Sequence, residues 1–179
     1  MKYYLLFSLI ILAVGLGLLV GWKGRNPRET FSQKAATSIA SIFFYIALFS
    51  ITLPLLYSYF VNWLQPEYQL GGVFWWLMVV SLVTQWLCTL VPERGQFVFA
   101  HRVLTGISGI LLIPILALVM FSPVTNLLAQ TICLIGITIM VLLLRAGLQA
   151  QKRGHHYALL LQVGYYAAFF IPVMFITYG

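Results

Sequence analysis

Six apolar runs, each about 20 residues long, determine what this 179-residue chain can fold into. A helix needs roughly 20 apolar residues to cross the hydrocarbon core of a bilayer. Only 7% of the residues are charged, whereas a soluble domain of this size uses about 25%. The sequence therefore predicts an all-α, polytopic membrane protein with a single domain, residues 1–179, built as a six-transmembrane-helix bundle. The predicted helices cover about residues 3–22, 31–62, 72–91, 99–121, 123–144 and 157–178.

Local signals mark two of the helix starts. Thr30 and Gln33 have the spacing of a capping box, in which each side chain satisfies a free backbone amide, so the second helix is expected to begin near Phe31. Ser122 followed by Pro123 is typical of a cap and first turn, which predicts a very short link into the fifth helix. The first run is longer than a signal-peptide core and no small-residue cleavage site follows it, so it is expected to be retained.

The basic residues predict how the chain is threaded. The loops and helix ends after the first, third and fifth helices hold nine of the ten lysines and arginines, and the opposite side holds only Lys2. Cationic loops of membrane proteins stay in the cytoplasm. Both termini are therefore expected outside the cytoplasm, in a bacterial inner membrane. The nine residues are Lys23, Arg25, Arg28, Lys34, Arg94, Arg102, Arg145, Lys152 and Arg153.

The residues between the third and fourth helices concentrate charge in an otherwise apolar chain. Glu93, Arg94, His101 and Arg102 fall within ten positions of one another. One interpretation is that such residues anchor helix ends to lipid headgroups. A second is a binding site for an anionic ligand or headgroup, with the candidate residues Arg25, Arg28, Arg94, Arg102, His155 and His156. Both interpretations stay open from the sequence.

Other chemistry has less support in the sequence. A metal site would use His101, one of the two late histidines and Glu93, but their spacing matches no standard motif, so no metal is predicted. The histidines lie at one edge of the spans, which disfavours haem, and no cofactor is predicted. Ser38 or Ser41 with His101 as base is conceivable for nucleophilic catalysis, but the chain has no aspartate to orient the histidine.

Polar residues inside the apolar runs are the remaining candidates. Tyr45, Gln85, Gln130 and Gln162 are the strongest of these intramembrane groups. An unpaired polar group in hydrocarbon costs free energy, so Gln85 is expected to point into the bundle. Such groups serve hydrogen bonding between helices, or a neutral or lipid-like ligand, better than they serve an ion.

The predicted function follows from these exclusions. We expect a membrane protein without catalysis of its own, acting as an accessory subunit of a membrane complex or as a binder of lipid or another hydrophobic ligand. Its partners would be membrane lipids and a membrane protein docked through helix faces, with no nucleic acid. A lipid-modifying enzyme that uses His101 and Glu93 is the alternative, and a small transporter is the second alternative.

One junction resembles a known group of proteins. Pro92 ends one predicted helix and His101, nine positions later, opens the next. This pattern is similar to small bacterial membrane proteins of unknown function grouped with the CREST-type superfamily of membrane hydrolases and receptors. The hydrolases of that group rely on an aspartate and a His-x-x-x-His pair with a serine. This chain has no aspartate and its late histidines are adjacent, so the resemblance implies a related bundle without that metal chemistry.

Overall fold

A computed structural model describes residues 1–24, 26, 28–153 and 157–179, with the side chains of 150–153 excluded. No β-strand occurs among these residues, and six helices are long and apolar enough to cross a membrane. This confirms the predicted all-α six-helix bundle, and the chain is a multi-pass membrane protein. Large apolar side chains are exposed along every span, as expected for helices that face lipid.

The helices follow one another closely along the chain. They are α1 (Tyr3–Lys23), α2 (Phe31–Ala35), α3 (Ile39–Tyr59), α4 (Gln65–Glu67), α5 (Gly72–Leu90), α6 (Val98–Met120), α7 (Leu127–Arg153) and α8 (Ala158–Tyr178). A π-helical turn, Phe60–Leu64, joins α3 to α4, and a 3-10 turn, Gly95–Phe97, precedes α6.

The spans pack mainly against their neighbours in the chain. α1 lies on α3, α3 on α5, α5 on α6, α6 on α7 and α7 on α8, with a smaller contact between α6 and α8. Buried rings and aliphatic side chains of α3, α5, α6 and α8 meet in the core. A close backbone approach occurs at Gly136 of α7, where an added Cβ would lie 2.6 Å from the Ala168 carbonyl oxygen of α8. Glycine is needed there because the two backbones are this close.

The end of the bundle opposite α2, which we call the aromatic end, is closed by neutral hydrogen bonds. The Tyr59 hydroxyl bonds to that of Thr177. The Tyr68 hydroxyl donates to the Ile176 carbonyl at 3.0 Å, and the Ser122 hydroxyl donates to the Tyr68 carbonyl at 2.6 Å. These bonds connect the ends of α3, α6 and α8. Partial burial of the Tyr68 hydroxyl at this end raises its pKa.

The second predicted helix is interrupted, so its description as one helix over residues 31–62 was wrong. The capping box of Thr30 and Gln33 does start α2 at Phe31, as predicted. A second capping box follows, in which Ser38 accepts from the Ser41 amide and Ser41 accepts from the Ser38 amide. The helix start at these serines was not predicted from the sequence. Their hydroxyls compete with the helical backbone bonds, which ends α2 and starts α3.

The predicted bounds of the fifth helix were also wrong at both ends. α7 begins at Leu127, because the Asn126 side chain accepts from the Ala129 amide at 2.9 Å and caps the helix. Ser122 instead accepts from the Val124 amide inside the preceding turn. At the other end α7 continues past Leu144 to Arg153, because the intervening residues include good helix formers and no proline.

Candidate functional site

The loop between α5 and α6 turns one charged side chain inward and the next one outward. Val91 ends α5, and Gly95 adopts a φ of +58°, a left-handed conformation that suits glycine. The Glu93 side chain is only 7% exposed, whereas Arg94 is exposed. An isolated buried carboxylate would be costly, so its partners explain how it is tolerated.

Glu93 binds the first turn of α2 through three hydrogen bonds. The Thr30 and Ser32 hydroxyls donate to Oε2 at 2.9 and 2.6 Å, and the side-chain amide of Gln33 donates to Oε1 at 3.1 Å. Hydrogen bonds to an ionised acceptor contribute about 1.5–3 kcal/mol each. A residue of the α5–α6 loop therefore holds α2 in place, across about 60 positions of sequence.

A histidine and an arginine of α6 approach the same carboxylate. His101 Nε2 lies 3.8 Å from Glu93 Oε2, and Arg102 Nε lies 3.7 Å from Oε1. His101 Nδ1 is 2.6 Å from the Val91 carbonyl oxygen. A carbonyl only accepts, so Nδ1 carries the proton and Nε2 faces Glu93 and the Cys88 thiol, 3.4 Å away. The imidazole is thus oriented by backbone and is 3% exposed.

A cleft of about 270 Å³ opens beside this network, and we call this side of the bundle the cleft end. It lies between α2, the α5–α6 loop and the first turns of α6 and α8. The side-chain oxygen Oε1 of Gln162 on α8 accepts from the backbone amide of Phe31 on α2 at 3.2 Å and joins the two walls. The lining residues are Arg28, Thr30, Ser32, Gln33, Glu93, His101, Arg102, Thr105, Gly106, Ala158 and Gln162.

The arginines of the cleft are unequally compensated. Arg102 is 47% exposed and approaches Glu93. The chain has only three carboxylate side chains, all within the described residues, and none lies within 4 Å of the Arg28 side chain. Glu29 instead faces Lys34 at 3.4 Å. The cleft therefore holds two guanidinium groups and one carboxylate, a surplus of positive charge.

The predicted headgroup-binding residues separate into three groups. Arg28 and Arg102, distant in sequence, line the same cleft. Arg94 does not line it, and its guanidinium lies 3.5 Å from the Ala36 carbonyl oxygen. The remaining candidates, Arg25, His155 and His156, lie outside the described residues. The metal site considered with His101 needs one of those two histidines, so it falls outside the described residues as well. Among the residues that are described, no group of three His, Cys, Asp or Glu side chains could hold a metal ion.

The predicted intramembrane polar residues occupy different depths. Gln85 is buried as expected, and its oxygen accepts from the Ser108 hydroxyl at 3.1 Å and the Tyr166 hydroxyl at 3.4 Å. Tyr45 is also buried, with its ring 4.8 Å from that of Phe49.

The other two lie near helix starts. Gln130, in the first turn of α7, donates to the Thr125 carbonyl at 3.1 Å, and Gln162, near the start of α8, lines the cleft. None of these contacts by itself assigns a ligand.

Several side chains that build the cleft were not expected from the sequence to belong to a site. Thr30 and Gln33 were recognised only as a capping box, although both also bind Glu93. Lys34 was counted as a cationic loop residue, but it is fully buried and donates to the Gly24 carbonyl at 2.6 Å. The only local signal was the concentration of hydroxyl and amide side chains over residues 30–33, which is unusual in so apolar a chain.

No protein-family model matches this chain, and neither a curated protein nor a solved structure matches it. The resemblance to the CREST-type superfamily therefore stays a prediction, as does the membrane-protein partner docked through helix faces.

Proposed function

We propose that this multi-pass membrane protein binds an anionic, phosphate-type group in the cleft and has no catalytic activity of its own. The observation that carries the proposal is the pair Arg28 and Arg102 in one cleft with a single carboxylate. Guanidinium groups recognise phosphate oxygens through paired hydrogen bonds and remain charged at any physiological pH.

The carboxylate in the cleft is engaged by its own neighbours and leaves Arg28 able to bind an anion. Glu93 already receives three hydrogen bonds from α2 and approaches Arg102 and His101. Two carboxylate oxygens offer about four lone-pair sites, so these neighbours use the acceptor capacity of Glu93. Its role in the proposal is to hold the wall of the cleft. Arg28, which has no carboxylate partner, supplies the attraction for an anion.

The enzyme alternative has weaker support from the same contacts. His101 and Glu93 are close enough to act as a pair, with 3.8 Å between Nε2 and Oε2. Both are nonetheless almost completely buried, and His101 is hydrogen-bonded to the backbone. The transporter alternative has weaker support as well, because Gln85, Ser108 and Tyr166 satisfy one another in the middle of the bundle.

A binding measurement with both forms of the ligand chemistry tests the proposal. Protein in phosphatidylcholine nanodiscs would be titrated with glycerol phosphate and, separately, with phosphatidylglycerol in the disc, followed by native mass spectrometry. We expect the double variant Arg28→Gln, Arg102→Gln to bind at least one of these probes about a hundredfold more weakly, because each charged hydrogen bond contributes about 1.5–3 kcal/mol.

The control is Arg145→Gln, which removes one positive charge at an exposed position that does not line the cleft. It should bind like the unchanged protein. If the double variant binds both probes as tightly as the unchanged protein does, or if the unchanged protein binds neither, the proposal is overturned.

We also propose that the cleft faces the cytoplasm of a bacterial inner membrane, with both termini outside. The support is the placement of nine of the ten lysines and arginines on one side of the predicted topology. Both native cysteines are buried, so a cysteine introduced by Glu67→Cys can be labelled with little background. An impermeant maleimide should label it in intact cells. Labelling only after permeabilisation would reverse the orientation.

A further inference from the structure

We infer that the anion of the cleft is the headgroup of a membrane phospholipid, whose acyl chains leave the cleft between α6 and α8 past Gly106 and Ala158. The inference rests on the proposed function, and it specifies the class of the ligand. A soluble phosphate compound would use the same arginines but would need no apolar exit.

The walls of the cleft change from charged to apolar along α6. Arg102 carries the guanidinium, and Gly106, one turn further into the span, lines the same cleft without a side chain. Ala158 lines it from α8. An added Cβ at Gly106 would meet no atom within 4 Å, so the space beside this glycine is open. The cationic part of the cleft is therefore continuous with an open space beside Gly106 and Ala158, where Thr105 and Gln162 are the polar neighbours in the lining.

The depth and surroundings of this opening match the part of the acyl chains that lies next to the headgroup. Gly106 and Ala158 belong to helices that are apolar enough to span a membrane. Beside them along the two helices, Val103, Ile107 and Leu160 are between 40% and 65% exposed. Exposed apolar side chains on a transmembrane helix lie against acyl chains. A lipid whose phosphate reaches the arginines would have its chains next to these residues.

The opening between α6 and α8 ends about one turn beyond Gly106. It is therefore confined to the headgroup region of the membrane. The Tyr165 hydroxyl of α8 donates to the Gly109 carbonyl of α6 at 2.8 Å and closes the gap between the helices. The cleft therefore has a headgroup-sized polar part and a short lateral opening, and its closed bottom prevents a chain from running down the centre of the bundle. A lipid bound there keeps its chains in the bilayer.

Filling the opening separates a lipid from a free phosphate compound. Gly106→Leu places a side chain in the open space and leaves both arginines unchanged in sequence. The protein would be reconstituted in phosphatidylcholine nanodiscs that contain a minor share of phosphatidylglycerol, and bound lipid would be measured by native mass spectrometry. Glycerol phosphate would be measured in parallel as the chain-free probe. We expect Gly106→Leu to lose bound phosphatidylglycerol while any binding of glycerol phosphate is retained.

Gly17→Leu is the matched control, because Gly17 is an exposed helical glycine of α1 whose added Cβ also meets nothing within 4 Å. It should keep its lipid. If Gly106→Leu retains phosphatidylglycerol while the double arginine variant loses it, the inference fails and the proposed function stands. If glycerol phosphate displaces the lipid equally from Gly106→Leu and from the unchanged protein, the site takes a free anion. If the double arginine variant binds both phosphatidylglycerol and glycerol phosphate as the unchanged protein does, the inference and the proposed function both fail.

Discussion

The two ends of the bundle connect distant spans with different chemistry. At the aromatic end, neutral groups do this: Tyr59 bonds to Thr177, and Tyr68 bonds to the Ile176 carbonyl. At the cleft end, the carboxylate of Glu93 accepts hydrogen bonds from hydroxyl and amide groups of α2 and lies near His101 and Arg102 of α6. Each end therefore satisfies these polar groups, but only the cleft end does so around a buried carboxylate.

The difference also appears in how space is filled. Around Tyr59 the rings pack directly, with Trp63 stacked at 5.3 Å, and Phe60 lies 5.9 Å from Phe169 of α8. At the cleft end, short polar side chains meet Glu93, and the space beside them is a cleft of about 270 Å³. Packed rings stabilise the fold, whereas the polar network holds the walls of the proposed binding site apart. The comparison predicts that stability and binding can be changed separately.

The largest expected effect is on stability at the aromatic end. Phe60→Ala removes a ring that is 2% exposed, which should lower the free energy of unfolding by about 3–5 kcal/mol because a cavity remains. The measurement is unfolding in bicelles followed by steric trapping. Phe43→Ala on α3 is the control, since that ring is 67% exposed and should cost little. Lipid binding at the cleft should persist, and its loss in Phe60→Ala would show that the two ends are coupled.

A smaller effect on stability, together with an effect on binding, is expected at the cleft end. Glu93→Gln removes the charge that strengthens three hydrogen bonds from α2, so the free energy of unfolding should fall by about 2–3 kcal/mol. Because α2 forms one wall of the cleft, bound phosphatidylglycerol should fall as well. Glu67→Gln, at an exposed position of the aromatic end, is the control and should change neither quantity. A variant at Glu93 with unchanged stability and binding would remove the distinction between the ends.

The smallest effect concerns one neutral hydrogen bond. Tyr59→Phe keeps the buried ring but removes the hydroxyl that bonds to Thr177, which should cost about 1 kcal/mol of the free energy of unfolding. Tyr57→Phe, on the same helix with the side chain more than one-third exposed, should be close to neutral in the same unfolding measurement. A cost for Tyr59→Phe as large as that of Glu93→Gln would mean that the charged network contributes no more than a neutral bond.

The sequence predicted the features that depend on local patterns. The bounds of α1, α5, α6 and α8 follow from apolar runs, and each lies within about one residue of its prediction. Gln85 was expected to face the interior because a glutamine in hydrocarbon needs a partner, and it is buried with two of them. The interruption after Ala35 was missed, although the two serines that cause it are close in sequence. Small polar residues suit both a helix face and a helix start, and hydropathy does not distinguish these roles.

By itself, the sequence determined the six spans and the capping box that starts α2, because both follow from residues that are neighbours in the chain. Tertiary structure alone decided that Glu93 meets α2 and that Arg28 and Arg102 share a cleft. The physical reason is that the apolar period of a helix shows that a face is buried but does not identify which helix covers it. The concentration of charge between α5 and α6 was visible from the start. Its partners, some 60 positions earlier, depend on how the spans pack.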